Sequence, residues 1–400
     1  MNHQLLLDYQ TRYKNELNDC LDFWLTNSID KENGGIYNCL DREGKVFSTD
    51  KMVWLLGRCV WMFSYLCNQY GVKNEWKNIA DTCLEFLEKF CIDKNDGRMY
   101  FLVTADGKPL RKRRYFFSET FYIMACAEYG KAFNNKKVLE NAKKYYDFII
   151  DIYRNPENDP YKITPKYIVD TRKMKAFSYP MILLNVSQIM RMCDLSNSNK
   201  YDSIASELIS DIFKYFYKED LKAILETTGN NGEFLSSIST GRTINPGHEI
   251  EFAWFLLIQA RNAADPHLIN KVENIFNWAI EIGWDKEYGG LFYFRDILGY
   301  PPEQIEHSMK LWWPICESLI CSILLYEETG NKKYFEWFEK IDKYAFSKLK
   351  DNLYKEWFGY LHIDGTPTLP ALKGGLFKGP FHLPRMLSMV EQCLERCRSK

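Results

Sequence analysis

Apolar positions along the chain recur at two spacings. Long stretches such as Trp54 to Tyr65 and Phe117 to Ala132 place them at i, i+3, i+4 and i+7, which predicts helices. Between such stretches comes a recurring excursion: Gly or Asn, an aromatic or apolar pair, then a second turn. It reads "KENGGIYNCLDREGK", "NDGRMYFLVTADGKP", "NNGEFLSSISTGR", "KEYGGLFYFRDILGYP" and "YKEWFGYLHIDGTP", with a weaker version in "NDPYKITPKYIVDTR". The excursions centre near Gly34, Gly97, Tyr161, Gly232, Gly289 and Gly359, about 65 residues apart, which is the signature of a repeat architecture. Each unit has room for two helices. Six such units predict an all-α fold, an (α/α)6 barrel of six helical hairpins with short β-hairpin excursions over a central pocket. No Ser-, Gly- or Pro-rich run divides the chain, so residues 1–400 are expected to form a single domain.

Composition narrows the function. A formal net charge of −1 supplies no field for nucleic acid or an acidic membrane surface. Aromatic residues reach 16 %; they fill a large helical core and also stack on the C–H faces of sugars. The 12 cysteines form no C-x-x-C pair, and the closest two, Cys393 and Cys397, are one helical turn apart. They read as buried or free thiols of a reducing compartment. The N-terminal "MNHQLLLDYQTRYK" carries charge too early for a secretory leader, and no apolar run approaches a membrane span. A cytoplasmic protein is the expectation.

Histidine is scarce, six in 400 residues, yet two follow the same local signal. In "INPGHEIEFAWF" a Pro-Gly pair opens a helix at His248, and in "KGPFHLPR" a Gly-Pro pair precedes His382. Either residue taken alone serves equally well as a packing or capping group. Their shared setting favours an acid/base pair, each held neutral by the positive end of a helix dipole. Glu251 falls one turn after His248, on the face that also carries Trp254 and Phe255, and is expected to fix the tautomer of the ring. "MKLWWPICESL" puts Trp313 and Glu317 four residues apart, after Lys310 and Trp312; it reads as a sugar platform with a carboxylate, or as core. Arg58 in "KMVWLLGRCVWMF" is a lone cation in an apolar run, which needs a carboxylate or an anionic reaction centre. The catalytic set is therefore His248, His382, Glu251, Glu317 and Arg58, with Trp254, Trp313, Lys310 and Arg385 expected to bind substrate.

Other signals are weak. The basic run "RKRRYF" from Arg111 reads as a solvated loop. "KGGLFKGP" lacks phosphate-loop spacing, no dinucleotide fingerprint opens a βαβ unit, and no zinc-type cluster argues for a metal. Two histidines around a polar pocket suit proton transfer on both faces of one carbon, as in epimerisation beside a carbonyl. Arg58 would stabilise the anionic intermediate. An inverting glycoside hydrolase using Glu251 and Glu317 leaves the histidines without a purpose.

The blocks "VWLLGRCVWMF", "FSETFYIMA", "NPGHEIEFAWFLL", "GWDKEYGGLFYF", "MKLWWP" and "KGGLFKGPFHLPRMLSM" together resemble the N-acylglucosamine 2-epimerase family, which includes the renin-binding proteins. The resemblance runs nearly end to end. It implies an (α/α)6 barrel interconverting N-acetyl-D-glucosamine and N-acetyl-D-mannosamine in amino-sugar and sialic acid metabolism. It implies a homodimer, and ATP as an activator that is not consumed, although no nucleotide motif is legible. Carried over by motif, His248 and His382 are the acid/bases, and Arg58, Glu251 and Glu317 support them. Two alternatives within the same resemblance are an epimerase of another sugar, cellobiose or mannose, and a non-catalytic binding protein. Family members often carry a histidine after "WWP", where this chain has Ile315. "KAFSYPMILLN" lacks the middle-helix histidine of cellobiose 2-epimerases, which favours N-acyl sugars.

Overall fold

The computed structural model describes residues 3–112, 115–161 and 168–399. Arg113 and Arg114 of the basic run, and the core of the weak excursion after Tyr161, lie outside them. Twelve long helices make up the described fold: α1 (His3–Asn27), α2 (Val53–Tyr70), α3 (Asn74–Phe90), α4 (Phe117–Ala132), α5 (Lys136–Arg154), α6 (Ser178–Cys193), α7 (Ser198–Tyr215), α8 (Pro246–Ala263), α9 (Pro266–Gly283), α10 (Trp312–Thr329), α11 (Lys332–Tyr344) and α12 (His382–Ser399).

They sort into two rings by composition. In α2, α4, α8 and α10 buried residues occur on every face; a helix apolar all round belongs inside. In α3, α5, α9 and α11 a single apolar stripe is buried and the remaining face is charged. The inner order runs α2, α4, α6, α8, α10, α12, each helix packing on the next. Closure is made by Phe381 against Trp61, ring centroids 5.3 Å apart, and by Tyr70 bonding Ser388 and Glu391 at 3.0 Å. Each of α3, α5, α7, α9 and α11 packs outside the helix preceding it. The sixth hairpin joins the two ends of the chain: α1 lies outside α12. The (α/α)6 barrel is as expected. The period alone did not reveal that its last unit is split between the termini.

The excursions lace the units together at one end of the ring. The strand leading into an inner helix pairs antiparallel with a strand of the next excursion: Lys51–Met52 with Leu102–Val103, Met174–Ala176 with Thr227–Gly229, Thr243–Ile244 with Arg295–Asp296, and Lys310–Leu311 with Tyr360–Leu361. Four excursions share a tighter device. Asp30, Asp93, Asp285 and Asp351 each accept the backbone N–H two residues on, at 2.9 to 3.0 Å. Each also meets a lysine from the following strand or loop: Lys51 at 2.6 Å, Lys112 at 2.7 Å, Lys310 at 2.8 Å and Lys373 at 3.1 Å. Lysine is compact, so it can be buried against one carboxylate and still donate to nearby carbonyls, as Lys51 does to Gly34 and Ala105.

Lys310, expected to bind substrate, is therefore placed outside the lining of the central cavity. It has no exposure, its Nζ lies 3.6 Å above the Phe292 ring centroid, and burial pulls its pKa down to about 8 while Asp285 holds it charged. Lys310→Met would leave Asp285 buried without its partner. The expected cost is about 3–5 kcal/mol, read as a lower midpoint in denaturant, with KM of the folded enzyme unchanged. A raised KM at full stability would return Lys310 to the site.

Candidate active site

The N-terminal ends of the inner helices surround a cavity of ≈ 540 Å³. Its wall divides by helix. From α2, α8, α10 and α12 come Arg58, His248, Glu251, Trp313, His382 and Arg385; from α4 and α6 come Phe117, Phe121, Met181, Ile182 and Asn185. One side is charged and the other is not.

His248 sits in the first turn of α8, where Asn245 caps the helix by accepting the His248 N–H at 3.2 Å. Its Nδ1 meets Glu226 Oε1 at 2.9 Å. Glu251, expected to orient this ring, instead accepts from Arg385 Nη2 at 3.0 Å. Glu226 is fixed from both sides: its carbonyl accepts from Phe177 N at the start of α6, and its N–H donates to Thr243 just before α8. Below it Glu249, with no exposure, accepts the Ile224 N–H, and burial raises its pKa well above the carboxylate range. A neutral Glu249 can anchor the strand without repelling Glu226. Sequence reasoning missed Glu226; its only signal was a lone acid closing the apolar run "KAILE".

His382 begins α12, and Pro380 lies just before the helix rather than in its first turn. Its Nδ1 meets Glu317 Oε1 at 2.7 Å. A carboxylate only accepts, so Nδ1 carries the proton and Nε2 keeps the lone pair. Glu317 has no exposure and also accepts from Arg385 Nη2 at 2.6 Å and from Trp254 Nε1 at 2.8 Å. Trp254 thus holds Glu317 from behind instead of stacking on a sugar. Trp313 does line the cavity and lies between the two histidines, its ring centroid 5.1 Å from His248 and 5.9 Å from His382. Ile315, directly after "WWP", is buried in the core.

The two histidines were expected to be alike. They are pushed apart. Burial opposes the His248 imidazolium, but Glu226, Glu251 and Glu317 together outweigh it and raise its pKa above the usual 6.5. For His382, burial and the guanidinium groups of Arg385 and Arg58 drive the pKa well below 6.5. The carboxylates around His248 override the helix dipole. Near neutrality one ring is ready to accept a proton and the other is biased to give one, a division that defines acid and base roles.

Arg58 completes the charged wall. Its guanidinium lies 4.1 Å from the Phe121 ring centroid and 4.9 Å from that of Phe381. It makes no ion pair with a described residue, and its Nε is buried without a hydrogen-bond partner. Burial lowers its pKa to about 9. Of the two partners open to it, a carboxylate or a reaction centre, the first is absent among the described residues. Glu251, Glu317 and His382 bring their ligand atoms within 4.8 Å of one another. The Arg385 guanidinium bonds both carboxylates, so the cation between them is already supplied by the chain.

An all-helical double ring holding a histidine pair with separate carboxylate partners is the layout of an isomerase working by proton transfer. The comparisons give the family. The N-acylglucosamine 2-epimerase (GlcNAc 2-epimerase) pattern matches residues 35–378. The N-acylglucosamine 2-epimerases of Bos taurus and Mus musculus are 34 % and 35 % identical, over 99 % and 96 % of this chain and 94 % and 92 % of theirs. The cellobiose 2-epimerase of Spirochaeta thermophila superimposes with a TM-score of 0.84 at 18 % identity, over 98 % of each chain, and shares the fold. The chain belongs to the N-acylglucosamine 2-epimerase family, and it is an epimerase.

Glu226→Gln would remove the largest attraction holding the proton on His248. Its pKa falls, and the alkaline limb of kcat/KM against pH moves to lower pH while the acid limb stays in place. An unmoved alkaline limb would dissociate Glu226 from His248.

Proposed function

We propose that the protein interconverts N-acetyl-D-glucosamine and N-acetyl-D-mannosamine by moving the C2 proton of the open-chain sugar. The observation carrying this reading is the split pair: two histidines against one indole, each bonded through Nδ1 to its own carboxylate, with opposite pKa shifts. His382 Nε2 takes the C2 proton, and the C–H electron pair moves into a C1–C2 double bond as the carbonyl oxygen becomes an enolate. Arg58, which has no carboxylate partner among the described residues, stabilises that oxygen. His248 then delivers a proton to the opposite face of C2 as the enolate collapses to the aldehyde. His382 leaves the cycle protonated and His248 neutral; exchange with water restores both. In the reverse direction the roles interchange.

The reading extends to features the family resemblance implies: a cytoplasmic homodimer, with ATP as an activator that is not consumed. No described helix is long and apolar enough to cross a membrane.

Proton NMR of N-acetyl-D-mannosamine with the enzyme in D2O, with and without ATP, tests the proposal. N-acetyl-D-glucosamine carrying deuterium at C2 is expected, and faster conversion in the ATP tube. His248→Ala and His382→Ala should each lower kcat by about 10²–10⁴-fold without unfolding the protein. Near wild-type turnover by either variant would sink the two-histidine scheme.

A further inference from the structure

The charge-free side of the cavity carries two polar side chains, Ser178 at the start of α6 and Asn185 two turns on, and only Asn185 offers both donors and an acceptor in one amide. Asn185, on α6, lines the cavity and is 6 % exposed, yet its amide makes no hydrogen bond with a described residue. Its amide faces the cavity with its donors and acceptor uncommitted to the protein, so it is free to bond a ligand there. Its surroundings state the ligand's character. Met181 and Ile182 lie one turn earlier on the same helix, and Phe117 and Phe121 come from the neighbouring α4. Neither α4 nor α6 contributes a charged side chain to the lining.

From this placement we propose that Asn185 reads the N-acyl group of the substrate, with Met181, Ile182 and the two phenylalanines taking its methyl. The inference rests on the function proposed above and names the part of the site that selects an acylated sugar. Proton transfer occupies the two faces of C2, so the other three substituents of that carbon lie between the histidines. C1 carries the developing oxyanion and must reach Arg58 on α2. The acylamino nitrogen leaves C2 in another direction. In the ring order α6 stands across from α12, which carries His382 and Arg385. A secondary amide offers one N–H and one carbonyl, and a carboxamide offers one acceptor and two donors. Asn185 Oδ1 can accept from the acyl N–H, and its Nδ2 can donate to the acyl oxygen. A charged residue there would bind a hydroxyl as readily as an amide. A neutral amide in an apolar wall leaves its own polar atoms unpaired when the acyl group is missing, and that penalty discriminates more sharply than added contact does.

Asn185 is assigned a role in selecting substrate, not in chemistry. The test uses two open-chain alditols that cannot react, N-acetyl-D-mannosaminitol and D-mannitol, titrated calorimetrically into the wild type and into the Asn185→Leu and Asn185→Asp variants. The wild type should prefer the acylated ligand. Asn185→Leu should weaken N-acetyl-D-mannosaminitol by roughly tenfold or more and leave D-mannitol within about twofold, so selectivity collapses. Asn185→Asp keeps the size and the acceptor but loses the donors; it should fall between the two. The pH profile of kcat in Asn185→Leu should keep the wild-type limbs, because that change touches neither histidine and adds no charge to the cavity. Retained selectivity in Asn185→Leu would overturn the assignment. Equal loss of both ligands would do so too, by marking the residue as structural. A wild type that epimerises no N-acyl sugar would defeat the parent proposal instead, and the NMR experiment reads that outcome separately.

Discussion

One carboxylate removed from water holds the catalytic wall together. Glu317, on α10, has no exposure and collects His382, Arg385 and Trp254 on its two oxygens. Burying a carboxylate is expensive unless it is paired and hydrogen-bonded, and here the groups that stabilise it include the histidine and the arginine that line the cavity. α8 supplies Trp254 and, through Glu251, a second hold on Arg385; α12 supplies Arg385 and His382. Three neighbouring inner helices are thus tied at the level of the cavity by one anion. Loosening any one of them would free the His382 ring and its tautomer together.

The same wall depends on contacts made at the seam between α1 and α12. His382 and Arg385 stand on the final helix, which would be a poor foundation if it frayed. α1 packs outside it, and Trp24 and Trp357 are both fully buried near this seam. Glu16 of α1 accepts from Trp357 Nε1 at 2.7 Å, and Glu356 accepts from Trp24 Nε1, also at 2.7 Å. Lys378 donates to Glu356 at 2.5 Å and packs under the loop that leads to Phe381 and His382. The first helix of the chain is therefore part of the support for residues about 360 positions later, and the loss of either end costs both.

Much of this was legible in the sequence, and the parts that were not share a cause. The helical spacing and the period of the excursions predicted the ring, because six units with room for two helices each can close as six helical hairpins. His248, His382, Arg58 and Glu317 stood out because each is a polar residue in an apolar setting that packing alone does not require. Glu226 did not stand out: it reaches His248 across a turn and a strand pair, from 22 residues upstream, and no helical spacing encodes such a contact. Glu251 was matched to the wrong partner for the same reason. Its helical neighbour was His248, but the cation nearest in space comes from α12. Lys310 beside two tryptophans looked like a sugar-binding lysine. It is one of four lysines that close Asp-capped excursions, a regularity visible only once the aspartates are seen to bond them. Ring closure by the two termini escaped notice because a repeat period says where units recur, not where the chain was cut.

The asymmetry between the histidines bears on reversibility. On the proposed scheme, the form with His382 neutral and His248 protonated serves the epimer whose C2–H faces His382, and the opposite pKa shifts of the two rings favour that form. Turnover leaves the proton on His382, where burial and two guanidinium groups oppose it, so loss of that proton to solvent drives the enzyme back to its starting state. The other epimer needs the opposite charge distribution, which the same groups disfavour. The ratio of the two kcat/KM values is nevertheless fixed by the equilibrium between the sugars. The scarcer state lies higher in free energy and so crosses to the shared transition state more readily by the same factor, and the cost in protonation cancels.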